Sequence, residues 1–309
     1  MTKQSKSVEI ATGELFGDLW HAYDENLFEE SVQLFEQRAK ANDFDLDWLN
    51  GKICLDAGCG GGRYSVALAR HGAKAVVGAD VSSSGLQNAK LQASRIPNIQ
   101  FCGASVLELP FADQSYDLVW CAGVLHHTRA PAAGLSELVR VLKPGGRMFL
   151  LLYGKGGVRW PTMMKLRPLA EELGYDALDN AIEAAGLPAN TRRTFLDDLF
   201  VPLINFYDQE EVAEMLAANG ITNYVRWEQG KLDHEQSAPV QRGELIRLKS
   251  VFDHADDSER AAPGTAIVSE AIKELDNAEA SFENGTIDIS ERNWRVFGVG
   301  HHRVMCEKT

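Results

Sequence analysis

A glycine-rich turn follows the apolar run 53–56 and precedes a stretch, 63–70, that has helical spacing. A strand, a glycine turn and a helix in this order bring backbone N–H groups close to a ligand, because glycine has no β-carbon to exclude it. In the dinucleotide-binding pattern G-x-G-x-x-G, counted from Gly58 and Gly60, the third glycine would fall at position 63. Arg63 stands there instead. The turn therefore argues against a bound pyrophosphate and favours a ligand without phosphates.

An acidic residue ends the next apolar run. Asp80 follows Asp56 by 24 residues, near the separation of about 20 at which a carboxylate contacts a ribose in nucleotide-binding folds. One carboxylate can accept hydrogen bonds from both ribose hydroxyls. An aspartate that only caps a helix or a turn is the structural alternative. Together with the glycine turn, Asp80 predicts a nucleoside-binding site.

These residues belong to a series of motifs in one order. Leu55-Asp56-Ala57-Gly58-Cys59-Gly60-Gly61-Gly62 resembles motif I of the class I S-adenosylmethionine-dependent methyltransferases, and Val77-Gly78-Ala79-Asp80-Val81-Ser82 is similar to their motif II. The segments 107–111, 116–120 and 142–146 follow in family order, so that the resemblance covers the middle third of the chain. The branch that it most resembles includes the ubiquinone and menaquinone biosynthesis methyltransferases.

The resemblance implies S-adenosylmethionine as the cofactor and assigns its contacts. Ser105 stands where many relatives have an aspartate that accepts from the adenine amino group, so Ser105 and the Val106 backbone are expected as substitutes. The remaining expected contacts are Asp56, Ala57, Gly58 and Gly60 at the methionine part, Asp80 at the ribose, Val81 at the adenine, and Cys121 and Ala122 near the sulfonium.

A histidine pair after the fourth predicted strand is the candidate for acid–base chemistry. Methyl transfer from a sulfonium is an in-line displacement, so the protein mainly aligns the acceptor and excludes water. A general base is needed only if the acceptor must lose a proton. His127 matches the histidine common in this branch, and His126 beside it is expected to point elsewhere. A structural histidine that bonds a backbone carbonyl is the open alternative for His127.

Contacts to the methyl acceptor must come from outside the motif region. Residues 154–207 are too many for a simple crossover and show helical spacing, which predicts a lid. Arg159 and Trp160 are its candidates for binding an acidic acceptor, although arginines on helix surfaces more often pair with neighbouring acids. In the N-terminal segment, Trp20 and Tyr23 are candidates for closing the pocket from the other side, or for ordinary packing.

Composition limits the partners. A formal net charge of −13 disfavours a nucleic-acid substrate. The five cysteines form no C-x-x-C pair, and no apolar run predicts a secretory signal or a membrane span, so we expect a cytoplasmic protein. Histidines and acids in residues 228–293 match no compact metal motif, so no metal is assigned. The oligomeric state is left open.

The elements that must position these residues alternate between strand and helix periodicity, which predicts a parallel sheet with crossover helices. Strands are expected at 53–56, 75–80, 99–102, 116–121, 147–153, 221–227 and 303–307, and core helices at 63–70, 85–94, 132–142 and from 208 onward. The segment Lys143-Pro144-Gly145-Gly146 should end the third of these helices.

The prediction is an α/β fold with a Rossmann-like, doubly wound seven-stranded sheet, a helical lid and a C-terminal insertion. Residues 1–50 would close the pocket, 51–153 would bind the cofactor, 154–207 would form the lid, and 208–309 would complete the sheet around an insertion at 228–293. The expected reaction is methylation of a small molecule. Methylation of a protein or RNA, a binding module without catalysis, and an NAD-dependent oxidoreductase are the alternatives.

Overall fold

The computed structural model describes residues 3–21, 25–229, 235 and 237–309. Within them, seven strands form one sheet in the order β3-β2-β1-β4-β5-β7-β6. The strands are β1 Ile53–Ala57, β2 Ala75–Asp80, β3 Ile99–Gly103, β4 Tyr116–Ala122, β5 Leu142–Leu152, β6 Tyr224–Arg226 and β7 His302–Glu307. β1 to β5 are parallel, and β7 runs antiparallel to both of its neighbours. The expected doubly wound, seven-stranded α/β fold is confirmed.

Helices connect the strands and extend well beyond them. Those that accompany the sheet are α1 Lys3–His21, α2 Glu25–Ala41, α3 Arg63–Arg70, α4 Ser83–Gln92, α5 Pro131–Val141 and α9 Gln209–Ala217. The others are α6 Arg159–Leu173, α7 Tyr175–Ala184, α8 Ala189–Phe200, α10 Ala238–Asp253, α11 Ser258–Glu283 and α12 Ile289–Phe297. None of the described helices has both the length and the apolar character that a bilayer span requires.

Several predicted boundaries were wrong: the strand expected at 221–227 is limited to Tyr224–Arg226, and two others differ for a clear local reason. The helix expected from residue 85 begins at Ser83, because the Ser82 side chain accepts from Gly85 N–H and caps it. The strand expected from residue 147 begins at Leu142, because Tyr116 pairs with Leu142 before an irregularity shifts the register.

The sheet separates two apolar clusters, since successive side chains of a strand point to opposite faces. Val119 and Cys121 of β4 lie in one cluster, with Leu135 and Leu138 of α5. Trp120 lies in the other, where its ring stacks on Phe149 at 3.9 Å between centroids. Burial on both faces explains why these strands are continuously apolar and not alternating.

The chain divides into two compact units. The sheet unit comprises residues 1–153, 202–230 and 301–309, and the helical unit comprises 154–201 and 231–300. The predicted lid and the predicted insertion, which the sequence presents as separate additions, both contribute to the helical unit, where α6 packs against α8 and α11.

Candidate active site

The order of the strands reverses between β1 and β4, and ligands of open α/β sheets bind outside the carboxyl ends of the strands at such a point. β1 ends at Ala57, β2 at Asp80 and β4 at Ala122, and the three strands are paired in register. The structure therefore brings the predicted cofactor residues of three separate motifs to one edge of the sheet.

The glycine turn after β1 requires glycine at two positions in particular. Gly58 has a φ of 77°, and a β-carbon there would lie 2.3 Å from a Val124 methyl carbon. Gly62 has a φ of 85°, and its β-carbon would lie 2.9 Å from that of Ala89 in α4. Gly62 thus provides the close helix packing that Arg63 cannot provide. Because the N–H of Gly58 donates to the Ala79 carbonyl at 2.7 Å, the turn is also fixed to β2.

The Asp80 carboxylate is held from two sides by backbone donors. Gly60 N–H donates to Oδ2 and Ser82 N–H to Oδ1, both at 2.8 Å. Burial raises the pKa of Asp80, and these hydrogen bonds oppose the rise. The Val81 backbone N–H also donates to this carboxylate, and because a carboxylate has about four acceptor positions, one remains for the hydroxyls of a ribose. The remaining acceptor capacity of Asp80 therefore fits the ribose of the nucleoside that the sequence predicts.

Asp56 lies inside the β1 end and not on its surface. Its side chain is 1% exposed, and Ser65 Oγ–H of α3 donates to Oδ2 at 2.7 Å. Burial raises the pKa of Asp56 to about 7, against the opposing effects of the Ser65 hydrogen bond and the Arg63 charge. Asp56 therefore ties α3 to the strand below the glycine turn, a role that the motif alone does not reveal.

The residues predicted near the adenine and the sulfonium differ in exposure. Ser105 Oγ accepts from Leu107 N–H at 3.2 Å in a tight turn after β3. The side chains of Val106 and Cys121 are buried in the core, and burial raises the pKa of the Cys121 thiol. Val81 and Ala122 are only partly buried. Ser105 is also only partly buried, so Ser105, Val81 and Ala122 keep surface that a ligand can contact.

The histidine pair lies in a 3₁₀ turn, Leu125–His127, directly after β4. His127 Nδ1 is 2.8 Å from the Leu203 carbonyl oxygen, the bond that the structural alternative requires. The fully buried His126 ring stacks on Tyr153 at 3.8 Å, and burial holds the pKa of His126 well below its usual value. His126 is therefore a neutral packing residue, and His127 remains the candidate of the pair for a role in catalysis.

Helix α1 covers this edge of the sheet. The sequence predicts this cover only as a property of residues 1–50 as a whole. A β-carbon on Gly13 would lie 2.7 Å from a Val81 methyl carbon, and one on Gly17 would lie 2.1 Å from Ser84 Oγ. The Phe16 ring lies 5.1 Å from that of His127. The two glycines are four residues apart and share one helix face, a sequence signal for close packing that was overlooked. Trp20 belongs to α1 but its side chain is outside the described part, as is Tyr23 altogether.

The acceptor-binding candidates of the lid are buried within the helical unit. Arg159 is 6% exposed and pairs with Asp198 and with Glu244, the latter at 2.9 Å. The neighbouring Trp160 is 7% exposed. These ion pairs agree with the alternative interpretation of the sequence, in which Arg159 pairs with acidic residues of the protein. Its role as an acceptor ligand stays a prediction without a supporting contact.

Histidines and acids of the insertion are used in local contacts. Asp253 pairs with Lys249 at 2.6 Å, and His254 Nδ1 contacts the Ser250 carbonyl at 2.8 Å. His234 lies outside the described residues. Across the part of the chain that is described, no three His, Cys, Asp or Glu residues are grouped so that they could hold a metal.

Comparisons with known proteins identify the domain. A family model described as a methyltransferase domain matches residues 55–150. The demethylmenaquinone methyltransferase of Clavibacter sepedonicus is 40% identical over 174 residues, which is 56% of this chain and 66% of that protein. The ubiquinone biosynthesis O-methyltransferase of Erwinia tasmaniensis is 35% identical over 136 residues, 41% of this chain and 55% of that protein.

The chain thus covers less than two thirds of the length of either relative. A solved S-adenosylmethionine-dependent methyltransferase from Mesorhizobium loti is 26% identical, with a TM-score of 0.33, over 36% of this chain and 55% of that one. The motifs, the strand order and the matched family agree with one another. Residues 55–150 therefore form a methyltransferase domain, and its motifs and strand order are those of the class I S-adenosylmethionine-dependent kind.

Proposed function

We propose that the protein transfers the methyl group of S-adenosylmethionine to a small-molecule acceptor by in-line displacement. The observation that carries the proposal is Asp80, which backbone N–H groups of Gly60 and Ser82 hold at the switch point of the sheet with an acceptor position to spare. A rigid carboxylate there binds a ribose without reorganising, which strengthens binding because no side-chain freedom is lost.

The residues of the site then have distinct roles. The cofactor supplies, when bound, a methyl group that its sulfonium already activates. Gly58 and Gly60 allow the backbone to approach the methionine part, Asp80 binds the ribose, and Val81 contacts the adenine. His127 acts at the acceptor: with Nδ1–H donated to the Leu203 carbonyl, Nε2 is the acceptor nitrogen of the neutral ring. A base at Nε2 would take the proton of an acceptor hydroxyl or amine.

Exclusion of water is the other task of the site, because water competes with the acceptor for the methyl group. Helix α1 supplies apolar cover, with the Phe16 ring against His127. Its close approach to the Val81 loop requires the small residues Gly13 and Gly17. We therefore infer that residues 1–50 close the pocket, as the sequence predicts.

Three observations favour a small acceptor over a polymer. The name of the Clavibacter relative contains demethylmenaquinone, and that of the Erwinia relative refers to ubiquinone biosynthesis. The net charge of −13 opposes binding of a polyanion. The β4 strand is followed by Gly123-Val124 and not by the Asn-Pro-Pro-Tyr or Asp-Pro-Pro-Tyr sequence that predicts methylation of base amino groups. A cytoplasmic location belongs to the proposal, since all five cysteines are free thiols.

The test is incubation of the protein with methyl-labelled S-adenosylmethionine and fractionated cell extract, followed by separation of the products. Label in low-molecular-weight products that depends on Asp80 supports the proposal. Label in protein or RNA would show that the methyl acceptor is a polymer and not a small molecule. Tight binding of S-adenosylhomocysteine with no labelled product from any fraction would favour a binding module, and binding of nicotinamide nucleotide alone would favour an oxidoreductase.

A further inference from the structure

One carboxylate on α1 is buried without a complete set of partners. Glu9 is 7% exposed, and the Arg129 backbone N–H donates to its carboxyl group. Among the described residues, no donor lies within hydrogen-bonding distance of the other oxygen, Oε1. A buried acceptor without a donor costs about 1–3 kcal/mol. Such a group suggests that a ligand supplies the missing donor.

Glu9 lies on the face of α1 that covers the carboxyl ends of the strands. Gly13, one helical turn further along, packs against the side chain of Val81. Residues four apart on a helix have β-carbons about 5–6 Å from each other. On its other side Glu9 contacts Arg129, in the loop that follows β4. Its carboxyl group therefore lies at the β4 loop, one helical turn from the point where α1 packs on Val81, the residue assigned to the adenine.

The residue that would otherwise accept from the adenine is not fully free to do so. Ser105 Oγ already accepts from Leu107 N–H at 3.2 Å. Its hydroxyl is short, and the same turn is closed by Glu108 N–H donating to the Ser105 carbonyl at 3.1 Å. A donor on the base needs an acceptor in a water-excluded pocket, and Glu9 Oε1 is a buried acceptor that needs a donor.

We propose that Glu9 accepts a hydrogen bond from the exocyclic amino group of the cofactor's adenine and so makes the site selective for a 6-amino purine. The inference rests on the proposed function, because it assumes that the nucleoside lies against Asp80 and Val81. Burial raises the pKa of Glu9, while Arg129 lowers it. Both protonation states keep an acceptor oxygen, but a protonated carboxyl also donates to an oxygen that stands in place of the amino group, so the selectivity belongs to the ionised form and should increase with pH.

The test compares two ligands by calorimetry: S-adenosylhomocysteine and S-inosylhomocysteine, in which an oxygen replaces the amino group. The wild-type protein should prefer the adenosyl ligand about tenfold or more, as one buried hydrogen bond predicts. Glu9→Ala should weaken binding of the adenosyl ligand by a similar factor, leave the inosyl ligand within about twofold, and so remove the preference.

Two variants keep this result interpretable. Glu9→Met has a similar length and no oxygen acceptor, so it should lose the preference as Glu9→Ala does, and it replaces Glu9→Ala if that variant does not fold. Glu14→Ala removes an exposed glutamate from the same helix and should leave both affinities unchanged.

Failure of the Glu9 proposal and failure of the proposed function give different results. An undiminished preference in Glu9→Ala, or an equal loss of affinity for both ligands, overturns the role of Glu9 while the proposed function stands. Wild-type protein that binds neither ligand contradicts the proposed function itself.

Discussion

His127 Nδ1 lies 2.8 Å from the carbonyl oxygen of Leu203, so the neutral ring carries its proton on Nδ1 and presents Nε2 as an acceptor. This one hydrogen bond serves both interpretations of the residue. It anchors the loop after β4 to the segment before α9, and it sets the tautomer that a general base needs.

Two substitutions of His127 separate these roles. In His127→Asn the amide nitrogen can take the place of Nδ1 and keep the bond to Leu203, but nothing replaces Nε2. If His127 is the base, we expect this variant to lose about 10²–10⁴-fold in kcat while S-adenosylhomocysteine binds as before. His127→Gln places its amide near Nε2 and loses the Leu203 bond, so it should lower the melting temperature more. Full activity in a folded His127→Asn would leave only the structural role.

Asp80 should control cofactor affinity. Asp80→Ala removes the acceptor for Gly60 and Ser82 as well as for the ribose, so we expect S-adenosylhomocysteine to bind at least about tenfold more weakly. Asp80→Glu keeps the charge but moves it, and should recover little affinity. Calorimetry measures both. An unchanged dissociation constant for Asp80→Ala would remove the ribose contact from the site.

Asp56 predicts a pH dependence of stability. Its folded pKa, raised to about 7, exceeds the ordinary aspartate value, so the folded state holds the proton more tightly than the unfolded chain. The stabilisation is therefore complete at low pH and is lost as the pH rises from about 4 to 7. Asp56→Asn, which is neutral at every pH, should gain on the order of a few kcal/mol relative to the wild type between pH 5 and pH 8.

Urea denaturation at the two pH values measures this difference. Asp18→Asn, an exposed aspartate of α1, is the control and should show no such gain. A constant difference between Asp56→Asn and the wild type across the range would contradict the raised pKa.

The cofactor edge of the sheet could be predicted from the sequence because its residues are local to single motifs. The turn after β1 needs glycine where Gly58 and Gly62 stand, and Asp80 follows from its place at the end of a strand. Each of these requirements involves only a few residues that are adjacent in the chain, so it can be recognised in the sequence.

Contacts between distant segments could not be predicted in the same way. Nothing near Asp56 in the sequence indicates that Ser65 bonds to it, and nothing near His127 indicates Leu203. Arg159 was assigned to an acceptor because its partners Asp198 and Glu244 are distant in sequence. The charge of an arginine is known from the sequence. Which acidic residues pair with it is decided by how the helices pack in the folded protein.

The Arg159 cluster should contribute stability and not cofactor affinity. Arg159→Met removes the cation of two ion pairs, with the buried Asp198 and with Glu244, and should cost about 3–5 kcal/mol. Arg242→Met, which breaks an exposed pair with Asp276, should cost less than about 1 kcal/mol. Thermal unfolding compares the two. A stable Arg159→Met protein with a raised KM for the acceptor would restore the substrate role.

The docking of α1 should be sensitive to one methyl group. In Gly17→Ala the new carbon would lie 2.1 Å from Ser84 Oγ and 2.9 Å from the backbone nitrogen of Gly85, so the helix must shift. We expect a cost of about 1–3 kcal/mol and weaker S-adenosylhomocysteine binding. Gly243→Ala, in the interior of α10 with no atom within 4 Å of the new carbon, should instead stabilise by roughly 0.5–1 kcal/mol. Equal affinity and stability in both variants would contradict the packing of α1.

The strand order has a consequence for biosynthesis. β7 lies between β5 and β6, yet the ribosome makes it after both of them and after the whole helical unit. Until residues 302–307 leave the ribosome, the edge of β5 that pairs with β7 is open. During the same period β6 lacks β7, the strand with which it pairs among the described residues. A nascent chain would therefore expose an unpaired strand edge throughout synthesis of the helical unit, a period in which chaperones or rapid folding of that unit must prevent aggregation.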